Sequence, residues 1–103
     1  MNQTVEDNIK VISDLISACE NTIADTKQEE KDTKNAIKVL TKTQEQFESN
    51  PVLQAENELF NILNAVLASL TTGLDTFSDI ISAEKEKMKK YNKALLALQE
   101  INN

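Results

Sequence analysis

Apolar residues recur at alternating steps of four and three along the first half of the chain. The series is Val5, Ile9, Ile12, Ile16, Cys19 and Ile23, then the polar Thr26, Glu30 and Thr33, then Ile37, Leu40, Gln44 and Phe47. A mean step of about 3.5 residues is typical of a coiled-coil seam, whereas a half-buried strand alternates every two residues. The pattern therefore predicts one long helix with a single inward-facing seam.

The second half repeats this spacing after a break at Ser49-Asn50-Pro51. Its seam is Leu53, Glu56, Phe60, Leu63, Leu67, Leu70, Leu74, Phe77, Ile81, Glu84, Met88, Tyr91, Leu95 and Leu98. Asn50 suits an N-cap and Pro51 the first helical position. We therefore expect helices over about 4–48 and 51–101 with a turn at 49–51, and so short a turn makes them antiparallel. The predicted fold is all-α, a single long antiparallel two-helix coiled-coil hairpin over residues 1–103.

One stretch of the second helix allows a different reading. Thr71, Thr72 and Gly73 lie in its middle, and Thr72-x-x-Asp75 resembles a capping box. Glycine inside a helix costs about 1 kcal/mol relative to alanine. A kink or break within residues 71–75 is therefore an open alternative, which would give three helices over about 4–48, 51–70 and 73–101.

The second helix carries more apolar surface than one neighbouring helix can cover. Leu59, Ile62, Val66 and Ile80 flank its seam. A turn centred at residue 50 would also set Leu67, Leu70 and Leu74 against Thr33, Glu30 and Thr26, leaving these leucines without apolar partners. The predicted partner-binding residues are Leu59, Ile62, Val66, Leu67, Leu70 and Leu74. We expect the hairpin to complete a four-helix bundle, either by homodimerisation or as a heterodimer with another helical protein.

Composition and charge exclude several functional classes. The 103 residues include 11 lysines and no arginine, 17 acidic residues, no histidine, one cysteine and one glycine, for a net charge of −6. Nucleic-acid binding needs clustered cations, nucleophilic catalysis most often needs a histidine base, and zinc sites need several Cys or His ligands. A phosphate-binding loop needs several glycines. We therefore expect no catalytic, cofactor or metal site and no nucleic-acid partner.

The apolar stretches also bear on membranes and export. The most apolar window, residues 59–70, is about half the length of a membrane span and contains Asn61 and Asn64. The first residues lack a basic region followed by an unbroken apolar stretch, so no cleavable signal peptide is expected. The prediction is a cytoplasmic protein without membrane insertion. Export by a route that needs no signal peptide stays open.

An acidic chain of about 100 residues that turns at its midpoint and carries a broad apolar stripe resembles the small helical-hairpin proteins of type VII secretion systems. The resemblance covers the whole chain at the level of architecture. At the turn, Ser49-Asn50-Pro51-Val52 stands where that superfamily has Trp-x-Gly, and Leu95 stands where its Tyr-x-x-x-acid export signal, if begun at Tyr91, would place an acid. The resemblance implies a divergent, non-enzymatic member.

The resulting functional hypothesis is a helical interaction protein that acts as partner, targeting factor or chaperone for a larger secreted toxin. Two alternatives remain open at this point. One is a structural coiled-coil subunit of phage or cytoskeletal type, and the other is a small immunity or antitoxin protein that masks an enzyme. The residues do not distinguish homo-oligomer from hetero-oligomer.

Overall fold

A computed structural model describes residues 2–54 and 57–102, and it consists of helices. They are α1 (Asn2–Ser49), α2 (Pro51–Gln54) and α3 (Asn57–Asn102). Among the described residues only Asn50 lies outside a helix, and none lies in a strand. The predicted fold class, an all-α protein built as a hairpin of two long helices, is confirmed.

The connection between the long helices contains the predicted helix cap. Asn50 lies outside the helices, and its Oδ1 accepts a hydrogen bond of 3.0 Å from the backbone N–H of Val52. Helical structure is described from Pro51 to Gln54 as α2 and again from Asn57 as α3. The bounds of the turn at 49–51 stay a prediction. Residues 55 and 56, which include the predicted seam residue Glu56, lie outside the described residues.

Helix α3 is continuous through the threonine–glycine stretch at which a break was considered. Thr71 Oγ1 donates to the carbonyl of Leu67 at 2.8 Å, and Thr72 Oγ1 donates to the carbonyl of Ala68 at 3.0 Å. The hydroxyls thus bond back to the preceding helical turn instead of capping a new helix. Gly73 does not adopt a positive φ. The three-helix alternative with a break at 71–75 is not observed.

The chain divides into two units, each made of one segment of α1 and one of α3. The first unit comprises Met1–Lys27 and Asp79–Asn103, and the second comprises Gln28–Ser78. In the second unit, Phe47 and Phe60 pack with ring centroids 5.9 Å apart. Nearby, Gln44 Nε2 donates to Asn64 Oδ1 at 2.6 Å. In the first unit, Cys19 lies near Glu84, whose carboxylate raises the pKa of the thiol.

The contacts of the second unit join the predicted seams but are offset from the predicted pairs. Phe47 was expected opposite Leu53, and its ring packs on that of Phe60. Side chains of a helix lean toward its N-terminus, so two long side chains of an antiparallel pair can meet although their Cα atoms are not level. The exact pairing of the seam residues stays a prediction.

Exposure along the helices confirms the predicted seam. Every seam residue whose side chain is described is buried or half-buried. The core is nevertheless thin: the buried residues among those described are Cys19, Thr26, Phe47 and Leu63, and none of these side chains is completely shielded from solvent. Two helices alone cannot enclose their seam. Within the described residues, no helix combines the length and the apolar character that a membrane crossing requires.

Candidate protein-interaction surface

The heptad repeat divides the surface of each unit into two sides. With seam positions labelled a and d, Ile37 and Phe60 are a positions, while Leu40 and Leu63 are d positions. In an antiparallel pair the g positions of both helices lie on one side of the seam and the e positions on the other. Positions c and b extend these two sides outward. We call the c and g positions the apolar side and the e and b positions the polar side.

The apolar side of the second unit exposes four large aliphatic side chains. Val39 of α1 is 63% exposed, and Leu59, Ile62 and Val66 of α3 are 52%, 54% and 42% exposed. All four occupy c or g positions. Helix α3 thus presents an apolar ridge with spacing i, i+3, i+7, and α1 adds a valine beside it. This is the arrangement of a face that receives another helix.

The polar side of the same unit carries no large apolar residue among its described positions. Those positions on α1 are Lys31, Lys34, Lys38, Thr41, Glu45 and Glu48, and those on α3 are Asn57, Asn61, Asn64, Ala68, Thr71, Asp75 and Ser78. A helix pair intended for solvent on both sides would show no such difference. The asymmetry makes the apolar side the candidate interaction surface of this unit.

The same heptad positions account for most exposed apolar residues of the whole chain. Ten large hydrophobic residues are exposed within the described part. Eight occupy c or g positions: Val11, Leu15, Val39, Leu59, Ile62, Val66, Ile80 and Ile101. The other two are Val52, in α2, and Leu96, at a b position. Single exposed hydrophobic residues are ordinary on a protein surface. Here, however, eight of the ten lie at two of the five non-seam heptad positions, so they are concentrated on one side.

The six predicted site residues fall into two groups. Leu59, Ile62 and Val66 are exposed on the apolar side, as the flanking positions indicated. Leu67, Leu70 and Leu74 are half-buried seam residues instead. The expectation that they lack apolar partners within the hairpin stays a prediction.

Sequence reasoning missed the contribution of α1 to the apolar side. The predicted site did not include Val11, Leu15 and Val39, because the prediction rested on the seam and on the second helix, which is the more apolar of the two. Heptad letters assigned across both halves would have placed all three on c or g positions. In the first unit, Val11 and Leu15 belong to the same side as Ile80.

Charge is also unevenly distributed on the α1 segment of the second unit. Glu29 and Asp32 lie on the apolar side, whereas Lys31, Lys34 and Lys38 lie on the polar side. Lys34 Nζ is 3.7 Å from Glu30 Oε1, and Asp32 accepts a hydrogen bond of 3.0 Å from Gln28. No lysine occupies a c or g position between residues 28 and 78. The apolar side of this unit is thus bordered by acid alone.

The first unit contains a cluster with unusual protonation behaviour. Desolvation in the seam and a hydrogen bond to Glu84 raise the pKa of the Cys19 thiol. Hydrogen bonds from Cys19 and Lys87 lower the pKa of Glu84, and the same carboxylate raises the pKa of Lys87, whose Nζ is 3.1 Å from Glu84 Oε1. A raised thiol pKa favours the protonated, unreactive form. The cluster therefore acts as a polar layer of the seam.

Other features of the described residues give no chemical centre. No group of three or more His, Cys, Asp or Glu residues among them is placed to hold a metal ion. An open cleft of about 420 Å³ near the turn is lined by Phe47, Glu48, Asn57 and Phe60. Comparison with known proteins adds no assignment, since no protein-family model, curated protein or solved structure matches the chain.

Proposed function

We propose that this chain is a non-enzymatic helical interaction protein that binds another helical protein through its apolar side and completes a four-helix bundle with it. The observation that carries the proposal is the contrast between the two sides of the second unit. Leu59, Ile62 and Val66 are about half exposed on one side, while the other side is polar. A catalytic role would need several reactive side chains placed close together, whereas an interaction role needs only this exposed apolar surface.

The energetics of a two-helix unit favour a partner. Fully burying an aliphatic side chain contributes about 1.5–3 kcal/mol, so covering the exposed half of each residue on the ridge contributes about 1 kcal/mol. Val39, Leu59, Ile62 and Val66 together supply a driving force for association of several kcal/mol. The thin core, with only Phe47 and Leu63 buried in the second unit among its described residues, leaves the unit dependent on such a contact.

Within this class, we propose the more specific role of a type VII secretion-associated small protein. It would act as partner, targeting factor or chaperone for a larger secreted toxin. The hairpin architecture and the exposed apolar side support this role, because binding to a helical segment of a toxin needs a preformed, unpaired helix face. Absence of the Trp-x-Gly turn makes it a divergent member of that group.

The test is affinity capture from the producing cell with two matched baits. Val66→Glu places a charge on the apolar side, and Ala65→Glu places the same charge on the adjacent outward-facing residue of α3. We expect one predominant helical partner to be captured by the wild type and by Ala65→Glu, and to be lost with Val66→Glu. A toxin or secretion component supports the specific role. Equal capture by both variants would contradict the proposed surface.

A further inference from the structure

We propose that the apolar side of the second unit receives a basic amphipathic helix, whose cationic residues lie beside Glu29 and Asp32. This inference rests on the proposed function and names the chemistry of its partner. The ridge of Leu59, Ile62 and Val66 supplies the apolar contact. The acids supply the charge, since no other ionisable residue occupies a c or g position of this unit.

The position of the acids relative to the apolar side can be read along α1 itself. Asp32 lies one heptad before Val39, which is 63% exposed, and Glu29 lies three residues before Asp32. The acids are therefore seven and ten residues from Val39, or about 10–15 Å at 1.5 Å per residue. A partner helix that lies along this side needs apolar residues at i, i+3 or i+4, and i+7. Its Lys or Arg residues should follow about seven to ten positions beyond the residue that covers Val39.

The surface between the ridge and the acids is open enough for a helix to pass. The c and g positions of α3 there are Ser69, Gly73 and Thr76, which carry small side chains. A Cβ added at Gly73 would meet no atom within 4 Å, so space is available above the helix backbone. A partner can therefore approach α3 closely along its whole course from Val66 towards Asp32.

Charge also selects between a basic helix and a second copy of this chain. The chain has a net charge of −6, which attracts cationic partners over long range and repels its own copies. The second unit of another copy would present Glu29 and Asp32 again and no lysine on this side, whereas its first unit carries Lys87 and Lys90 at g and c positions. The net charge opposes approach of either unit, so an unrelated basic helix satisfies both the ridge and the acids better.

The experiment is selection of a displayed library of helical peptides on the full-length protein, with Val66→Glu used for counter-selection. The library varies apolar positions along one face and allows acidic, neutral or basic residues over the following four turns. We expect enriched peptides to carry Lys or Arg seven to ten residues from the end of the apolar group. Enrichment of neutral or acidic residues there, or no enrichment, would overturn the proposal.

A matched pair of variants then tests the contact with the acids. Glu29→Gln should weaken the binding of an enriched peptide about threefold, as for an exposed ion pair, and should reduce the salt dependence of binding. Glu45→Gln makes the same change at an exposed b position of α1 and should leave both unchanged. Equal effects of the two variants would contradict the placement of the cations.

Two further outcomes separate this inference from the proposed function. If sedimentation shows a wild-type dimer that Val66→Glu dissociates, a second copy occupies the side and the basic-helix proposal fails. If a protein captured from the cell binds this side through a segment with no basic residues, the basic-helix proposal also fails while the proposed function stands. If Val66→Glu changes neither the capture of a cellular protein nor the binding of the enriched peptides, the proposed function and the basic-helix proposal both fail.

Discussion

Phe47 and Phe60 pack across the hairpin of the second unit with ring centroids 5.9 Å apart and planes tilted by 31°. Both rings belong to the heptad seam, so the pair joins the α1 and α3 segments of this unit. Phe47 is buried, so the pair also forms a large part of a sparse core.

We expect Phe47→Ala to lower the free energy of unfolding by about 3–4 kcal/mol, because a buried aromatic side chain is lost. A double-mutant cycle with Phe60→Ala should give a coupling of about 0.5–1.5 kcal/mol. Urea denaturation followed by circular dichroism measures both values. Val52→Ala, at an exposed site in α2, should change stability by less than about 0.5 kcal/mol. A loss below about 1 kcal/mol for Phe47→Ala would mean that the ring pair is not part of the core.

The hydrogen bond between Gln44 and Asn64 is the polar counterpart of the aromatic pair. Gln44→Ala should cost about 1 kcal/mol, because it leaves the half-buried Asn64 amide without this partner. Changing both residues to leucine removes the unsatisfied group and should restore much of that stability. Thermal melts of Gln44→Ala and of the double leucine variant test the point. A double leucine variant no more stable than Gln44→Ala would contradict it.

The cluster of Cys19, Glu84 and Lys87 predicts how stability changes with pH. The pKa of Glu84 is lowered, so its contribution is present above its ordinary value of about 4.3 and is lost as pH falls through the folded-state pKa. The pKa of Cys19 is raised, so its contribution is complete below about 8.5 and is lost as pH rises through the folded-state pKa. The raised pKa of Lys87 gives a further loss at still higher pH.

Denaturation curves between pH 3 and pH 11 should therefore show a plateau that falls on both sides. In Cys19→Ala the first alkaline decline should disappear, because no thiol remains to ionise. The acidic decline should become smaller but persist, because Cys19 lowers the pKa of Glu84 most and Lys87 continues to lower it. An alkaline decline of the same size and onset in this variant would show that the thiol is not its source.

The sequence predicted the seam well because the heptad period is a strong and redundant signal. The cap was also predictable, because Asn before Pro is a common helix start, and Asn50 Oδ1 bonds to the backbone N–H of Val52. The hydrophobic pattern could not fix which heptad of α1 meets which heptad of α3, since a slip of one repeat leaves the same residues inward. The polarity of the two sides could be read from the sequence, but only once heptad letters had been assigned to both helices.

The central claim is that Leu59, Ile62 and Val66 form a protein-binding surface, and calorimetric titration of the captured partner tests it most directly. Ile62→Glu should weaken binding by about 100-fold or more, because an unpaired charge would be buried in the interface. Asn61→Glu introduces the same charge on the adjacent residue, on the polar side, and should change affinity by less than about threefold. Both variants should retain wild-type helicity. Equal affinity for Ile62→Glu and the wild type would contradict the account.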